Sequence, residues 1–320
     1  MRFVVYGAGA IGGVIGAHLF RGGHDVTLIA RGAHHDAIRE HGLRLDTPDE
    51  SVTLPIPVAA RPAEVEFGDG DIVILAMKTQ DTAPALAELS AVAPPGIVVV
   101  SAQNGVENER LALRLFPEVY GVCVVLPATF LEPGVVEASM APVGGLLDVG
   151  RYPRGDDDTA RALAAAFRES RFEAEARPDI MRYKYGKLLN NLSNAAQVII
   201  GLGEQSREVV RLAREEGVEC LRAAGIEAEH VEPVLAQTRP VQGRERGGGS
   251  SFQSLQRGTG TIETDYLNGE IVLLGRRYGV PTPVNELLRS VANRMAREGL
   301  PPGLMTAEEF LGRLDGRARR

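Results

Sequence analysis

Lys184, Lys187, Asn190, Asn191 and Asn194 fall within one stretch, Met181 to Gly201 (MRYKYGKLLNNLSNAAQVIIG), and are the residues of this chain best suited to chemistry. Read as a helix at about 100° per residue, with Lys187 as the origin, the stretch puts Asn191 at about +40°, Asn194 at about −20° and Lys184 at about +60°. One stripe therefore offers an ammonium and two carboxamides. Leu188, Leu192, Ala195, Val198 and Ile199 flank it with apolar surface to bury. Asparagine is a poor helix former, because its side chain competes for backbone hydrogen bonds. Three of them between positions 190 and 194 suggest a polar task without saying which. A capped or solvated helix face would use the same residue types, with each buried amide paired to something. Geometry alone does not choose between Lys184 and Lys187.

The second set of candidates opens the chain. Arg2 to Tyr6 (RFVVY) is a short strand-like run, and GAGAIG follows at Gly7, Ala8, Gly9, Ala10, Ile11 and Gly12, leading into a helix that runs to about Arg21. In this G-x-G-x-x-G pattern the first glycine allows a tight turn, the second lets the backbone approach a pyrophosphate, and the third lets helix and strand lie close. The free N–H groups of the helix N-terminus then face the anion. The next strand, Asp25 to Ala30, ends at Arg31. An acidic residue there would bind the ribose 2′-OH of NAD, whereas an arginine accommodates a 2′-phosphate, so Arg31 points to NADP(H).

These candidates need a scaffold. Further strands are expected at Asp71–Met77, Ile97–Ser101, Val119–Leu126, Val135–Met140 and Leu146–Val149, with helical segments between the earlier ones. That alternation predicts an α/β, Rossmann-type doubly wound parallel sheet, whose ligand crevice lies beyond the carboxyl ends of its strands. Lys78 and the Gln103-Asn104-Gly105 turn both fall at such ends, which makes Lys78 and Asn104 candidates for the cofactor edge. Arg177-Pro178 breaks the chain before the lysine helix. The boundary is placed there, giving an NADP-binding domain at 1–177 and an all-α substrate and catalytic domain at 178–320. Helices are expected at Met181–Ile200, Ser206–Ala224, Val231–Gln237, Thr261–Tyr278 and Val284–Glu298. The Gly/Ser-rich segment Gly243–Thr261, interrupted by Phe252 and Leu255, reads as an ordered loop lining the interdomain cleft, and the tail from Arg313 as frayed.

The bulk numbers narrow the partners. The chain has 320 residues, 44% hydrophobic and 24% charged, room for two domains with their own cores. A net charge of −7 argues against nucleic-acid binding. No apolar run approaches the ~18 residues of a membrane span, and the N-terminus does not read as a signal peptide. Cys123 and Cys220 are the two cysteines, which fits a reduced, cytoplasmic setting. His34 and His35 are adjacent and would point apart, so no metal site is expected. Glu263, in TIETDYLNG, stands near a helix N-terminus, where the macrodipole favours a carboxylate whether or not it has a function.

Taken in order, these motifs resemble the ketopantoate reductase (2-dehydropantoate 2-reductase) family. The resemblance covers nearly the whole length: GAGAIG, the arginine after the second strand, Lys78, QNG at Gln103–Gly105, KLLNN at Lys187–Asn191, SS at Ser250-Ser251 and ETDYLNG at Glu263–Gly269. It implies NADPH-dependent reduction of 2-dehydropantoate to pantoate, a step towards pantothenate and coenzyme A. Carried over, Lys187 is the catalytic lysine, preferred to Lys184 because an asparagine stands four residues on. Asn191, Asn194 and Ser251 are substrate contacts, Glu263 binds the substrate or orients the lysine, and Asn104 lies near the nicotinamide. The implied step is hydride transfer to a 2-oxo acid, with protonated Lys187 stabilising the developing oxyanion and delivering the proton. A homodimer through the helical domain is a further implication. Two departures bear on the substrate: Ala195 stands where the family often has its second asparagine, and Leu255 where many members are acidic.

Overall fold

The structure, a computed structural model, describes residues 1–130, 132–232, 238–243, 249–256 and 260–318. Its chain divides into two compact units, Met1–Lys184 with Glu232–Arg246 and Tyr185–Val231 with Gly247–Arg320.

The first unit begins β1 (Arg2–Tyr6), α1 (Ala10–Arg21), β2 (Asp25–Ile29), α2 (Gly32–His41), β3 (Leu43–Asp46), β4 (Ser51–Leu54) and β5 (Val58–Ala59). It continues with β6 (Ile72–Leu75), α3 (Thr82–Ser90), β7 (Val98–Ser101), α4 (Asn108–Leu113) and β8 (Val119–Val125). Then come β9 (Ala128–Thr129), β10 (Val135–Ala138), β11 (Gly145–Arg151), α5 (Asp158–Glu169) and β12 (Phe172–Glu173). The main sheet has the order β12–β11–β8–β7–β6–β1–β2–β5. From β5 to β8 every pairing is parallel, the doubly wound arrangement.

Successive side chains of a strand point to opposite faces, and here both faces are buried. Phe3, Val5, Val26, Leu28 and Ile74 face α1 and α5, while Val4, Tyr6, Ile29, Val73 and Leu75 face α3 and α4. Runs such as IVIL are apolar throughout for that reason. Two departures from a purely parallel sheet follow from the connections. No helix separates β8 from β11 among the described residues, so the chain turns back and the two pair antiparallel. The strand expected at Val135–Met140 does not join this sheet. As β10 it pairs with β3 and β9 in a second sheet, β4–β3–β10–β9. That sheet covers α1: a Cβ on Gly13 would come within 2.7 Å of Val136, and one on Gly16 within 2.6 Å of Leu28 on the opposite side.

The second unit is helical: the end of α6 (Ile180–Asn191), then α7 (Ser193–Ile199), α8 (Arg207–Ala223), α9 (Ser250–Gln256), α10 (Asn268–Tyr278), α11 (Pro283–Glu298) and α12 (Ala307–Ala318). Leu188, Leu192, Ile199, Ala213, Leu221, Ile271, Leu288 and Met295 are among its buried residues. The division falls at Lys184, past the expected Arg177, because the first turn of α6 packs on β8. A Cβ on Gly121 would stand 3.4 Å from both Ile180 and Lys184. The segment expected as one helix from Thr261 is instead a 3-10 turn at Glu263–Tyr266 followed by α10. Of the helix expected at Val231–Gln237, Val231 and Glu232 are not helical, and 233–237 lie outside the described residues. The tail expected to fray at Arg313 is helical to Ala318. Among the described residues no helix is long and apolar enough to cross a membrane.

Candidate active site

The three glycines of the first turn are glycine for two different reasons. Gly7 has φ +100°, and a Cβ there would meet the Met77 nitrogen at 2.6 Å. A Cβ on Gly12 would overlap the Gly7 carbonyl oxygen. Both are glycine because the fold has no room. Gly9 is different: nothing lies within 4 Å of a Cβ built on it, so the protein itself does not demand glycine there. The space is left clear at the N-cap of α1, whose first turn holds no acidic residue and whose leading N–H groups have no intrahelical acceptor. A pyrophosphate fits such a cradle electrostatically and sterically.

Residues outside the motif hold this turn. Gly7 and Ala8 both donate their N–H to Ile29 O. His34, on α2, has Nε2 at 2.7 Å from Ala8 O, and its Nδ1 accepts from Gly134 N at 2.9 Å. The two bonds fix the neutral tautomer protonated on Nε2. Burial pushes the His34 pKa below the usual histidine range, with the Ala8 bond opposing it. Sequence reasoning considered His34 only as a metal ligand. The missed signal is its spacing: His34 and Ile38, four apart, are the two buried residues of α2. Arg31, at the N-cap of α2 just past β2, is exposed.

A single polar network flanks the two other cofactor-edge candidates. Lys78 caps a 3-10 turn at Thr79–Asp81, after β6, and Asn104 follows β7, with Gly105 at φ +80°. Gln103 Nε2 donates to Met77 O (2.9 Å) and to Thr82 Oγ1 (2.7 Å). Asn108 Nδ2 donates to Asn104 O (3.0 Å) and Thr79 Oγ1 (3.2 Å), and Thr82 Oγ1 donates to Asn108 Oδ1 (2.8 Å). Gln103, Asn108, Thr79 and Thr82 are all buried. They are the concealed frame of the two strand ends, and nothing in their spacing announced it.

The two lysines of α6 part company. Lys184 is buried in the first unit and ion-paired to Glu109, whereas Lys187 is half-buried in the second. Asn191 is also half-buried. Asn190, the third asparagine of the cluster, donates its amide to Val231 O at 2.8 Å. The expected continuous helix breaks at Leu192. There Ser193 Oγ back-bonds to Asn190 O (2.9 Å) and Asn268 Nδ2 reaches Leu192 O (3.3 Å). Asn268 in turn donates to Asn285, whose amide reaches Ala213 O and Glu216. Glu216 accepts from Val284 N and Asn285 N at the start of α11, and burial raises its pKa.

Past the break, Ala195 is 1% exposed and belongs to the core, while Asn194 is half-buried. Asn194 faces the segment leading into α9: its Oδ1 would stand 2.9 Å from a Cβ on Gly249. Glycine there lets the two segments meet. Ser251, on α9, is 2% exposed, and its hydroxyl has no hydrogen-bond partner among the described residues. Glu263 is buried at the head of its 3-10 turn. Asp265, in the same motif, ties that turn to Arg289 and Asn293 of α11.

A dinucleotide cradle on a doubly wound sheet, followed by a helical unit bearing a lysine–asparagine stripe, is the build of a nicotinamide-dependent oxidoreductase. Comparison narrows the class. The family models for ketopantoate reductase PanE/ApbA and for its C-terminal region match residues 3–153 and 179–296. A 2-dehydropantoate 2-reductase of Halobacterium salinarum is 30% identical over 93% of this chain and 100% of its own length. A solved PanE/ApbA family ketopantoate reductase from Ralstonia eutropha JMP134 is 30% identical with TM-score 0.79, covering 93% of this chain and 99% of that one. A D-mandelate dehydrogenase solved with NADH and anilino(oxo)acetate shares the fold at TM-score 0.81 and 24% identity, over 93% and 99% of the two chains. The chain belongs to the ketopantoate reductase family. It is an oxidoreductase acting on a CH–OH group, with a nicotinamide cofactor.

Proposed function

We propose that this chain reduces 2-dehydropantoate to pantoate with NADPH, using Lys187 as general acid. The observation that carries the reading is the buried Ser251 hydroxyl, which has no hydrogen-bond partner among the described residues, in the same unit as Lys187, Asn191, Asn194 and Glu263. A native interior rarely leaves a polar group unsatisfied, and the carboxylate of a 2-oxo acid would accept its hydrogen bond. The reduced nicotinamide, when bound, supplies the hydride. The chain supplies the rest. The Gly7–Gly12 turn receives the pyrophosphate, Arg31 the 2′-phosphate, and Lys78 and Asn104 the cofactor's reactive side. Asn191 and Asn194 orient the substrate, and Glu263 binds it or steadies the Lys187 ammonium. As negative charge builds on the carbonyl oxygen, Lys187 donates its proton, an effect typically of about 10²–10⁴-fold. The reading extends to a cytoplasmic homodimer, which light scattering would check.

A second reading, reduction of another 2-oxo acid, is favoured by Ala195. The family often has asparagine at this position, and here the side chain is sealed in the core. The fold shared with a D-mandelate dehydrogenase does not itself choose the acid. The test is NADPH oxidation, followed by absorbance, against 2-oxo acids with branched, straight and aromatic side chains, with NADH as control. Turnover confined to 2-dehydropantoate supports the first reading and turnover confined to other acids the second. Binding without turnover would make the chain a non-catalytic NADP(H) module. Arg31→Ala should raise KM for NADPH about tenfold and leave NADH unaffected; equal effects on both would remove the case for NADPH.

A further inference from the structure

Lys184 and Glu109 form an ion pair sealed from water, Nζ to Oε1 2.6 Å, with side chains 2% and 0% exposed. The ammonium also donates to Gln103 O at 2.9 Å and Val122 O at 3.2 Å. Two backbone carbonyls and the Glu109 carboxylate thus surround the ammonium, which is held in place rather than offered to a substrate. The pair lies against β8 where Gly121 makes room, since a Cβ there would stand 3.2 Å from Glu109 Oε1. Such pairs are a poor means to stability: apolar residues of similar volume often do as well or better. What an apolar residue could not supply is the bond to Gln103 O. Gln103 precedes Asn104, and its side chain and Asn108 already fix the strand ends from the other directions.

We propose that Lys184, held by Glu109, is a positioning residue that clamps the Gln103–Asn104–Gly105 turn from behind and so sets Asn104 at the cofactor edge of the first unit. The inference rests on the reading of Asn104 as a cofactor-side residue, and it gives the buried pair a task in turnover rather than in folding. Breaking the pair on one side strands a buried charge, so Lys184→Met should lower Tm by about 10 °C. Lys184→Met/Glu109→Leu removes both charges and should recover most of that loss.

The discriminating measurement is made on the recovered double variant. Its kcat should stay about tenfold or more below wild type, and the emission of bound NADPH should differ from wild type, because a small displacement of a positioning group is costly in rate. In an Asn104→Ala background, removing the pair should cost no more than about twofold further. A double variant with wild-type Tm, kcat and emission, or losses that multiply with Asn104→Ala, would overturn the proposal. If the double variant does not fold, Glu109→Gln, which keeps an oxygen opposite Lys184, carries the same cycle: a loss absorbed by Asn104→Ala supports the clamp, and a loss that multiplies with it overturns the clamp. Should the wild type turn over no 2-oxo acid, the proposed function fails by itself, while the bound-NADPH emission still reads the turn.

Discussion

The imidazole of His34 holds the carbonyl oxygen of Ala8, with Nε2 2.7 Å from it. A helix beyond the second strand thereby braces the turn proposed to receive the dinucleotide. His34→Ala would leave Ala8 O and Gly134 N–H without their partner, at about 1–3 kcal/mol for each buried orphan. We expect a lower Tm and a several-fold weaker NADPH Kd by fluorescence titration. His34→Gln, with one donor and one acceptor, should recover part of both. Unchanged affinity in His34→Ala would mean that the brace does not reach the ligand.

Gly9 and Gly12 should separate under the same substitution. Gly9→Ala meets no atom of the fold within 4 Å and has φ −71°, which any residue adopts, so stability should stay within about 0.5 kcal/mol. Its added methyl enters the cradle, and the dinucleotide Kd should rise about tenfold or more. Gly12→Ala drives a Cβ into the Gly7 carbonyl and should destabilise by about 1–3 kcal/mol. Tight dinucleotide binding by Gly9→Ala would show that the open space is not where the pyrophosphate lies.

Lys187→Ala should lower kcat about 10²–10⁴-fold and leave the NADPH Kd close to wild type. Lys184→Ala should act first on Tm, because it strands Glu109. If Lys187→Ala turned over normally, the general acid would have to be sought elsewhere.

Acid should weaken the fold through His18. Its ring is buried edge-on against Phe172, and neither nitrogen has a hydrogen-bond partner among the described residues. Burial, with help from Arg21 and Arg171 and against the pull of Glu50, lowers its pKa from 6.5 to about 4. Between those two values the unfolded chain binds a proton that the folded chain refuses, so stability falls with pH. The full effect, reached near pH 4, is about 3 kcal/mol. His34, also lowered by burial, acts in the same direction. His18→Leu should flatten the pH dependence of the urea midpoint over this window; an unaltered slope would assign acid lability to other groups.

Much of the first unit was legible from the chain alone. The strand β1, the glycine turn and α1 are set by short-range sterics and by side-chain period, and both are written in consecutive residues. The second sheet was not, because β3 and β10 are far apart in the chain and each is only four residues long. Short strands carry too little pattern to name a distant partner, so the strand expected at Val135–Met140 pairs outside the main sheet.

The same division runs through the candidate site. The chain by itself determined which residue types are on offer: glycines ahead of a helix, an arginine after β2, two lysines and three asparagines on one stretch. The tertiary structure decided their environments. It enclosed Lys184 with Glu109, gave Asn190 to a backbone carbonyl, broke the helix at Leu192 and sealed Ala195 in the core. Periodicity fixes an angle around a helix axis, but burial depends on what packs against that angle. Those neighbours come from segments that no local pattern connects.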